Sequence, residues 1–209
     1  MSARDFFPAR MTWRACREAS LRCQGCDLWK NGTQTVFGEG PMGADLFFVG
    51  EQPGLEEDKA GRPFVGPAGR VLDEAMAAAG LDRDKAYVTN VVKHFKWEPR
   101  GKRKLHKKPG GREIAACLPW LEKEIEFVRP KVVVALGATA AQALLGKDFR
   151  VSVQRGEIRA TRFCPLTTAT VHPSSILRQP TSEDRRREME RLIDDLSKVA
   201  SVLKTRRSA

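Results

Sequence analysis

Four short apolar runs, separated by segments of helical period, constrain this chain more than any other feature. They are "ADLFFVG" (44–50), "AYVTNVV" (86–92), "KVVVALG" (131–137) and "LTTATV" (166–171). Near-continuous apolar runs of this length read as strands buried on both faces, the pattern of a parallel sheet. Between them, "PAGRVLDEAMAAAG" (67–80) repeats apolar residues at Val71, Leu72, Ala75, Met76 and Ala79, then stops at Gly80. "REIAACLPWLEKEIEFV" (112–128) aligns Ile114, Cys117, Leu118, Leu121, Ile125 and Val128 on one helical face. "ATAAQALLG" (138–146) and "SEDRRREMERLIDDLSKVASVL" (182–203) are further helices, the last with Ser182 as its expected cap. "FRVSVQRGEIRA" (149–160) alternates around "QRG", which predicts a hairpin. The expected fold is α/β: three layers, α/β/α, around a central, mainly parallel four-stranded sheet. With no repeat and no linker, residues 1–209 are expected to form one domain.

Composition excludes several classes. Hydrophobic residues are 41% of the chain, too many for a disordered one. No apolar run approaches the ~20 residues of a membrane span, and "MSARDFFPARMTWR" lacks a signal-peptide core. A cytoplasmic monomer with no membrane partner is expected. A reducing compartment makes its five cysteines better candidates for metal or cluster ligation than for disulfides.

Charge is unevenly placed. The formal net charge is +11, and residues 93–112 carry nine basic side chains against one acid, Glu98. Their centre, "RGKRKLHKKPGG" (100–111), reads as a basic insert at about 97–111 with a lone histidine, His106. By charge alone it is a solvated loop suited to phosphates.

In open parallel sheets, ligands sit beyond the carboxyl ends of the strands. Three segments follow strands there: "GEQPGLEEDKAGRPFVGPAGR" (50–70), the stretch from Asn90 through the basic insert, and "VHPSSILRQP" (171–180). Glu51, Asn90, His106 and His172 therefore converge on one sheet edge. Individually each has an ordinary reading: a solvated carboxylate, a turn-capping Asn, an incidental loop histidine, a helix start.

Together these residues resemble the uracil-DNA glycosylase superfamily. "GEQPG" and "HPSSILR" match its two motifs, while "GRPFVGPAGR" and "TNVVK" match base-binding segments of the iron–sulfur family 4 enzymes. "KHFKW" followed by "KRKLH" is most similar to the UdgX family, whose "KRRIH" loop bonds covalently to the abasic DNA it creates. Lys104 and Leu105 stand where that loop has Arg and Ile.

The resemblance implies a uracil-DNA glycosylase acting on uracil-containing DNA, single strands included. A flipped base would stack on Phe64, whose alternative reading is core packing. Gln52 belongs to the implied uracil-binding set, and Asn90 would face the O4 and N3–H edge that distinguishes uracil from cytosine. His172 would donate to O2 as the leaving base becomes an anion. Glu51 would stabilise the cation-like sugar and orient His106, the implied nucleophile. Lys102, Arg103, Lys104, Ser174, Ser175 and Arg178 would hold phosphates. Two alternatives stay open: an ordinary multiple-turnover family 4 enzyme, and a non-catalytic nucleic-acid binder. Leu55 departs from the family's usual acid, leaving Glu56 or Asp58 as substitutes.

Cys23 and Cys26 form a CxxC, and Cys117 in "CLPW" matches a family 4 ligand position. His94 stands where family 4 has another cysteine, with 22 residues between it and Cys117. The resemblance implies a [4Fe–4S] cluster on these four residues; spacing alone leaves zinc open. Cys16 is expected on a helix surface and Cys164 packed or partly exposed.

Overall fold

A computed structural model describes residues 1–101 and 103–205 of the chain. In chain order the elements are α1 (Trp13–Ser20), β1 (Leu46–Gly50), α2 (Leu55–Ala60), α3 (Pro67–Ala78), β2 (Ala86–Asn90), β3 (Trp97–Arg100) and β4 (Arg103–His106). They continue with α4 (Gly111–Val128), β5 (Val132–Leu136), α5 (Ala138–Leu145), α6 (Val151–Gln154), β6 (Thr167–Thr170), α7 (Pro173–Leu177) and α8 (Ser182–Thr205). Four strands form one parallel sheet in the order β2-β1-β5-β6, buried at every residue.

Burial on both faces follows from side-chain alternation along each strand. Phe47, Val49, Tyr87, Val133 and Ala135 pack with Trp120 and Leu121 of α4 and with Ala140 of α5. Leu46, Phe48, Val88, Val132 and Val134 pack on the other face with Leu72 and Met76 of α3 and Leu192 and Leu196 of α8. The result is the α/β/α sandwich that the apolar runs predict. Both sheet edges are covered: Glu39 bridges Val88 beside β2, and Arg159 bridges Thr167 beside β6. No described helix is long and apolar enough to cross a membrane.

The chain leaves β1 toward β2, then returns across the sheet to β5 and β6. Strand order therefore reverses between β1 and β5, and a crevice opens beyond their carboxyl ends. The segment after β1 is tightly built. Phe64 adopts a left-handed conformation, φ 56°, unusual for a residue with a Cβ. Helix α3 starts hard against it: a Cβ on Gly69 would lie 1.9 Å from the Phe64 carbonyl oxygen.

Local readings change in four places. The basic insert is a two-stranded antiparallel hairpin, with Trp97 opposite His106 and Arg100 opposite Arg103. Its turn includes Gly101 at φ 59°; Lys102 lies outside the described residues. Residues 149–160 are not a hairpin. Gln154 Oε1 caps Arg150 N–H at 2.8 Å, favouring the short α6, and only Arg159 pairs across to Thr167. Ser182 is already helical; Thr181 is the cap, its hydroxyl accepting from Asp184 N–H at 3.0 Å. Cys16 is not on the surface: α1 turns it into the core, fully buried, in the cluster that holds Trp120 and Leu121 of α4. Cys164 is packed, as one of its two readings anticipates.

Gly69→Ala is expected to lower stability by about 1–3 kcal/mol, the usual cost of overpacking, because its Cβ meets rigid backbone. Chemical denaturation of the two proteins checks this; an unchanged midpoint would show that α3 can shift away at no cost.

Candidate active site

The crevice at the sheet edge is a cleft of about 660 Å³. Its floor comes from the ends of β1, β2 and β5, its walls from the segment after β1, the hairpin and α7. Glu51, Gln52, Phe64, Asn90, His106, His172, Ser174 and Arg178 all line it, so the residues that sequence reasoning scattered over 128 positions are gathered there.

The register Gly50 opposite Asn90 sets the floor. A Cβ on Gly50 would stand 2.3 Å from Asn90 Oδ1 and 2.8 Å from Phe64 Cζ, so only glycine lets both side chains reach the same space. Asn90 is 2% exposed, yet its side chain makes no hydrogen bond within the described residues. Its amide faces the cleft, where its donors and acceptor are left for a ligand. Phe64 belongs to the core on one side and to the cleft on the other; its ring lies 6.2 Å from that of His172 at 27°.

His172 lies two residues beyond β6 and caps α7. Its Nδ1 accepts from the Ser174 backbone N–H at 3.2 Å. A neutral ring must then carry its proton on Nε2, the nitrogen left for the cleft. Burial holds the imidazole neutral, pulling its pKa down from 6.5 to about 4, with the nearby Arg178 and His106 charges acting in the same direction. Ser174 Oγ sits between His172 Nδ1 (2.8 Å) and Arg178 (2.9 Å). The Ser175 hydroxyl is used locally, donating to His172 O at 2.7 Å.

Glu51 and Gln52 meet the hairpin. Glu51 Oε2 accepts from the Thr139 hydroxyl, while Oε1 lies 3.8 Å from His106 Nε2. Gln52 is clamped in one orientation: Oε1 accepts from Lys96 N–H at 3.2 Å, and Nε2 donates to the carbonyls of Lys96 (3.2 Å) and Lys107 (2.9 Å). That same Nε2 lies 2.9 Å from His106 Nε2. Both amide protons serve the two carbonyls, so this contact fixes the place of the His106 ring and not its tautomer. Burial lowers the His106 pKa from 6.5; Glu51 opposes the shift and Arg178 reinforces it. Lys104 stacks over Trp97 at 4.4 Å on the exposed hairpin, and Arg103 is exposed there.

Leu55 is exposed at the start of α2, and neither suggested substitute enters the cleft. Glu56 pairs with Lys59, and buried Asp58 accepts from Thr33 N–H (2.8 Å) and hydroxyl (2.6 Å). The acid of α2 that lines the cleft is Glu57, whose oxygens accept from Gly54 and Gly66 N–H. Sequence reasoning missed Glu57, Lys108 and Thr139. Thr139 has a sequence signal: it follows β5, whose carboxyl end opens on the same crevice.

The metal candidates share a region without forming a ligand group. Cys23, Cys26 and Cys117 influence one another electrostatically, and Cys117 Sγ accepts from Lys93 N–H at 3.2 Å, beside His94. Burial pushes the Cys117 thiol up to about 12. The His94 ring faces Thr35, Nε2 to Oγ1 at 3.1 Å. Among the described residues, no group of three or more His, Cys, Asp or Glu is gathered closely enough to hold a metal ion.

A carboxylate, an amide, two imidazoles and an arginine thus line one cleft at the carboxyl edge of an α/β sheet. Residues 37–197 match the model of the Uracil DNA glycosylase superfamily, and the chain belongs to that family. It is 40% identical over 188 residues to a type-4 uracil-DNA glycosylase of Thermotoga maritima, covering 90% of this chain and 92% of that protein. Similarity to the type-4 enzyme of Sulfurisphaera tokodaii is 36% over 172 residues, 78% and 75% of the two chains. A type-5 uracil-DNA glycosylase of Pyrobaculum aerophilum is 33% identical over 134 residues, 57% and 56% of the two.

The His172 geometry sets a stability trend. Its folded pKa is about 4 and its ordinary value 6.5, so between these the unfolded chain binds more protons. The group's contribution is complete above the ordinary value and is lost as pH falls toward the folded one. The thermal midpoint of His172→Gln is expected to fall less on acidification than that of the wild type. Equal losses in the two proteins would show that His172 does not titrate in this way.

Proposed function

We propose that this protein excises uracil from DNA and is then captured by its own product through His106. The observation that carries the reading is the pairing of Glu51 Oε1 with His106 Nε2, 3.8 Å apart, at the mouth of the cleft that Asn90, Phe64 and His172 line. The flipped base stacks on Phe64, and the Asn90 amide takes its O4 and N3–H edge. As the C1′–N1 bond breaks, His172 Nε2–H donates to O2, where the electron pair of the bond accumulates. Because His172 stays neutral, it stabilises the uracil anion without protonating it outright. Glu51 faces the cation-like sugar. The Nε2 lone pair of His106 then forms a bond to C1′, and the ring's Nδ1 proton passes to solvent. Arg178 and Ser174, with Arg103 and Lys104 of the hairpin and Lys102 of the basic sequence, hold phosphates.

A second reading is an ordinary multiple-turnover glycosylase, favoured by the similarity to the type-4 enzymes. His106→Ser separates the two. Wild-type protein incubated with uracil-containing single-stranded DNA is expected to give an adduct that survives heat and detergent, and the variant none, while uracil release persists. A variant that still crosslinks, or peptide mapping to another residue, would overturn the assignment. A protonated imidazole has no lone pair to attack with, so adduct yield per uracil released should fall from about pH 7.5 to about pH 5. A ratio independent of pH would sink the nucleophile.

Cys23, Cys26, Cys117 and His94 are the residues proposed to hold a [4Fe–4S] cluster. The donor set fits in kind: three thiols and an imidazole share one region, and Cys117 sulfur already accepts a backbone N–H. His94 Nε2 is engaged by Thr35, which leaves Nδ1 as its free nitrogen. Such a cluster would tie the N-terminal segment to α4 and act as a structural clamp. Purified protein is expected to be brown and Cys117→Ala colourless; colourless wild type with stoichiometric zinc would refute the cluster.

A further inference from the structure

Behind the cleft floor lies an ion pair that the proposed chemistry does not use. The side chains of Lys93 and Glu124 are 1% and 0% exposed and bonded directly to each other. Lys93 Nζ also donates to Thr89 Oγ1 at 2.5 Å and to the Asn90 carbonyl at 2.7 Å, so all its protons are placed. Glu124, from α4, accepts in addition from Gly38 N–H (2.6 Å), Tyr87 O–H (3.2 Å) and Thr89 O–H. Tyr87 in turn accepts from Trp13 Nε1 at 3.0 Å. The network is complete, and it is expensive. Buried ion pairs commonly give no net stability over apolar residues of similar size.

Its position explains its presence better than stability does. β2 ends at Asn90, and the peptide that follows is tied to β1 on one side, Val91 N–H donating to Gly50 O at 2.9 Å. Lys93 reaches back three residues to cap the Asn90 carbonyl and four to hold Thr89. The Asn90 peptide is thus gripped from α4 at the point where its side chain enters the cleft. The Asn90 amide has no side-chain partner of its own among the described residues, so its aim rests on its backbone. We propose that Lys93 and Glu124 are positioning residues: they fix the Asn90 peptide so that its amide meets the pyrimidine edge in one orientation. This rests on the reading that Asn90 faces the base.

The test is the paired replacement Lys93→Met/Glu124→Leu, which removes both charges and leaves neither stranded. Uracil release is followed under single-turnover conditions, where its dependence on protein concentration separates half-saturation from maximal rate and adduct formation does not interfere. The expected outcome is a folded protein with a lowered thermal midpoint, because Gly38 N–H, Tyr87 O–H and the Asn90 carbonyl lose partners, and a roughly ten- to hundredfold loss of excision efficiency, the scale of a small misplacement at a reacting group. Discrimination of uracil against cytosine should fall with it. In an Asn90→Ala background the pair should cost little more, because the amide it aims is gone. A folded paired variant with wild-type excision, or losses that simply multiply with Asn90→Ala, would overturn the proposal. Unchanged excision in Asn90→Ala alone would instead overturn the base-binding reading beneath it. If the paired variant yields no folded protein, Thr89→Val removes one shared hydroxyl at nearly constant shape. It should lower excision and discrimination together, and wild-type values in a folded Thr89→Val protein would equally reject the inference.

Discussion

The cleft depends on two adjacent parallel strands ending together, Gly50 opposite Asn90. β1 is apolar on both faces, so the register shows in which side chains meet across the strands: Phe47 lies opposite Tyr87, their rings stacked 4.9 Å apart. Once it is set, the next residue on one strand is Glu51 and the last on the other is Asn90. A carboxylate and an amide therefore face the same space without any contact between them. Gly50 keeps that space open by having no side chain to put into it.

Around this floor, the protein spends polar groups on holding others still. Gln52 is tied to three backbone groups at the base of the hairpin, so that His106 is presented with a defined nitrogen toward Glu51. Ser174 does the same for His172 through a backbone N–H. Thr139 takes one oxygen of Glu51 and leaves the other toward the hairpin. Glu57 closes the segment that carries Phe64 by accepting from Gly54 and Gly66. Preorganised groups of this kind cost nothing to reorient when charge develops on a ligand. The hairpin itself stacks Lys104 on Trp97, whose Nε1–H donates to Asn31 O at 2.9 Å, which anchors a strongly basic ribbon to the body of the domain.

The sequence by itself determined the layers and the location of the site. Burial on both faces is written into runs such as "KVVVALG", and the carboxyl-end rule needs only strand order to bring Glu51, Asn90 and His172 to one edge. Tertiary structure decided what each polar group does there. Gln52 reads as a base-binding residue in the motif, but its amide is engaged with Lys96 and Lys107, 44 and 55 residues away. The basic insert reads as a loop because Gly, Pro and Lys dominate it, yet cross-strand pairing makes it a hairpin. Lys93 reads as one more cation of a DNA-binding stretch; it is buried because α4 brings Glu124 to it. Local pattern reports which face of an element is apolar. The partner of a hydrogen bond or a buried charge is set by elements distant in sequence, and no local pattern encodes it.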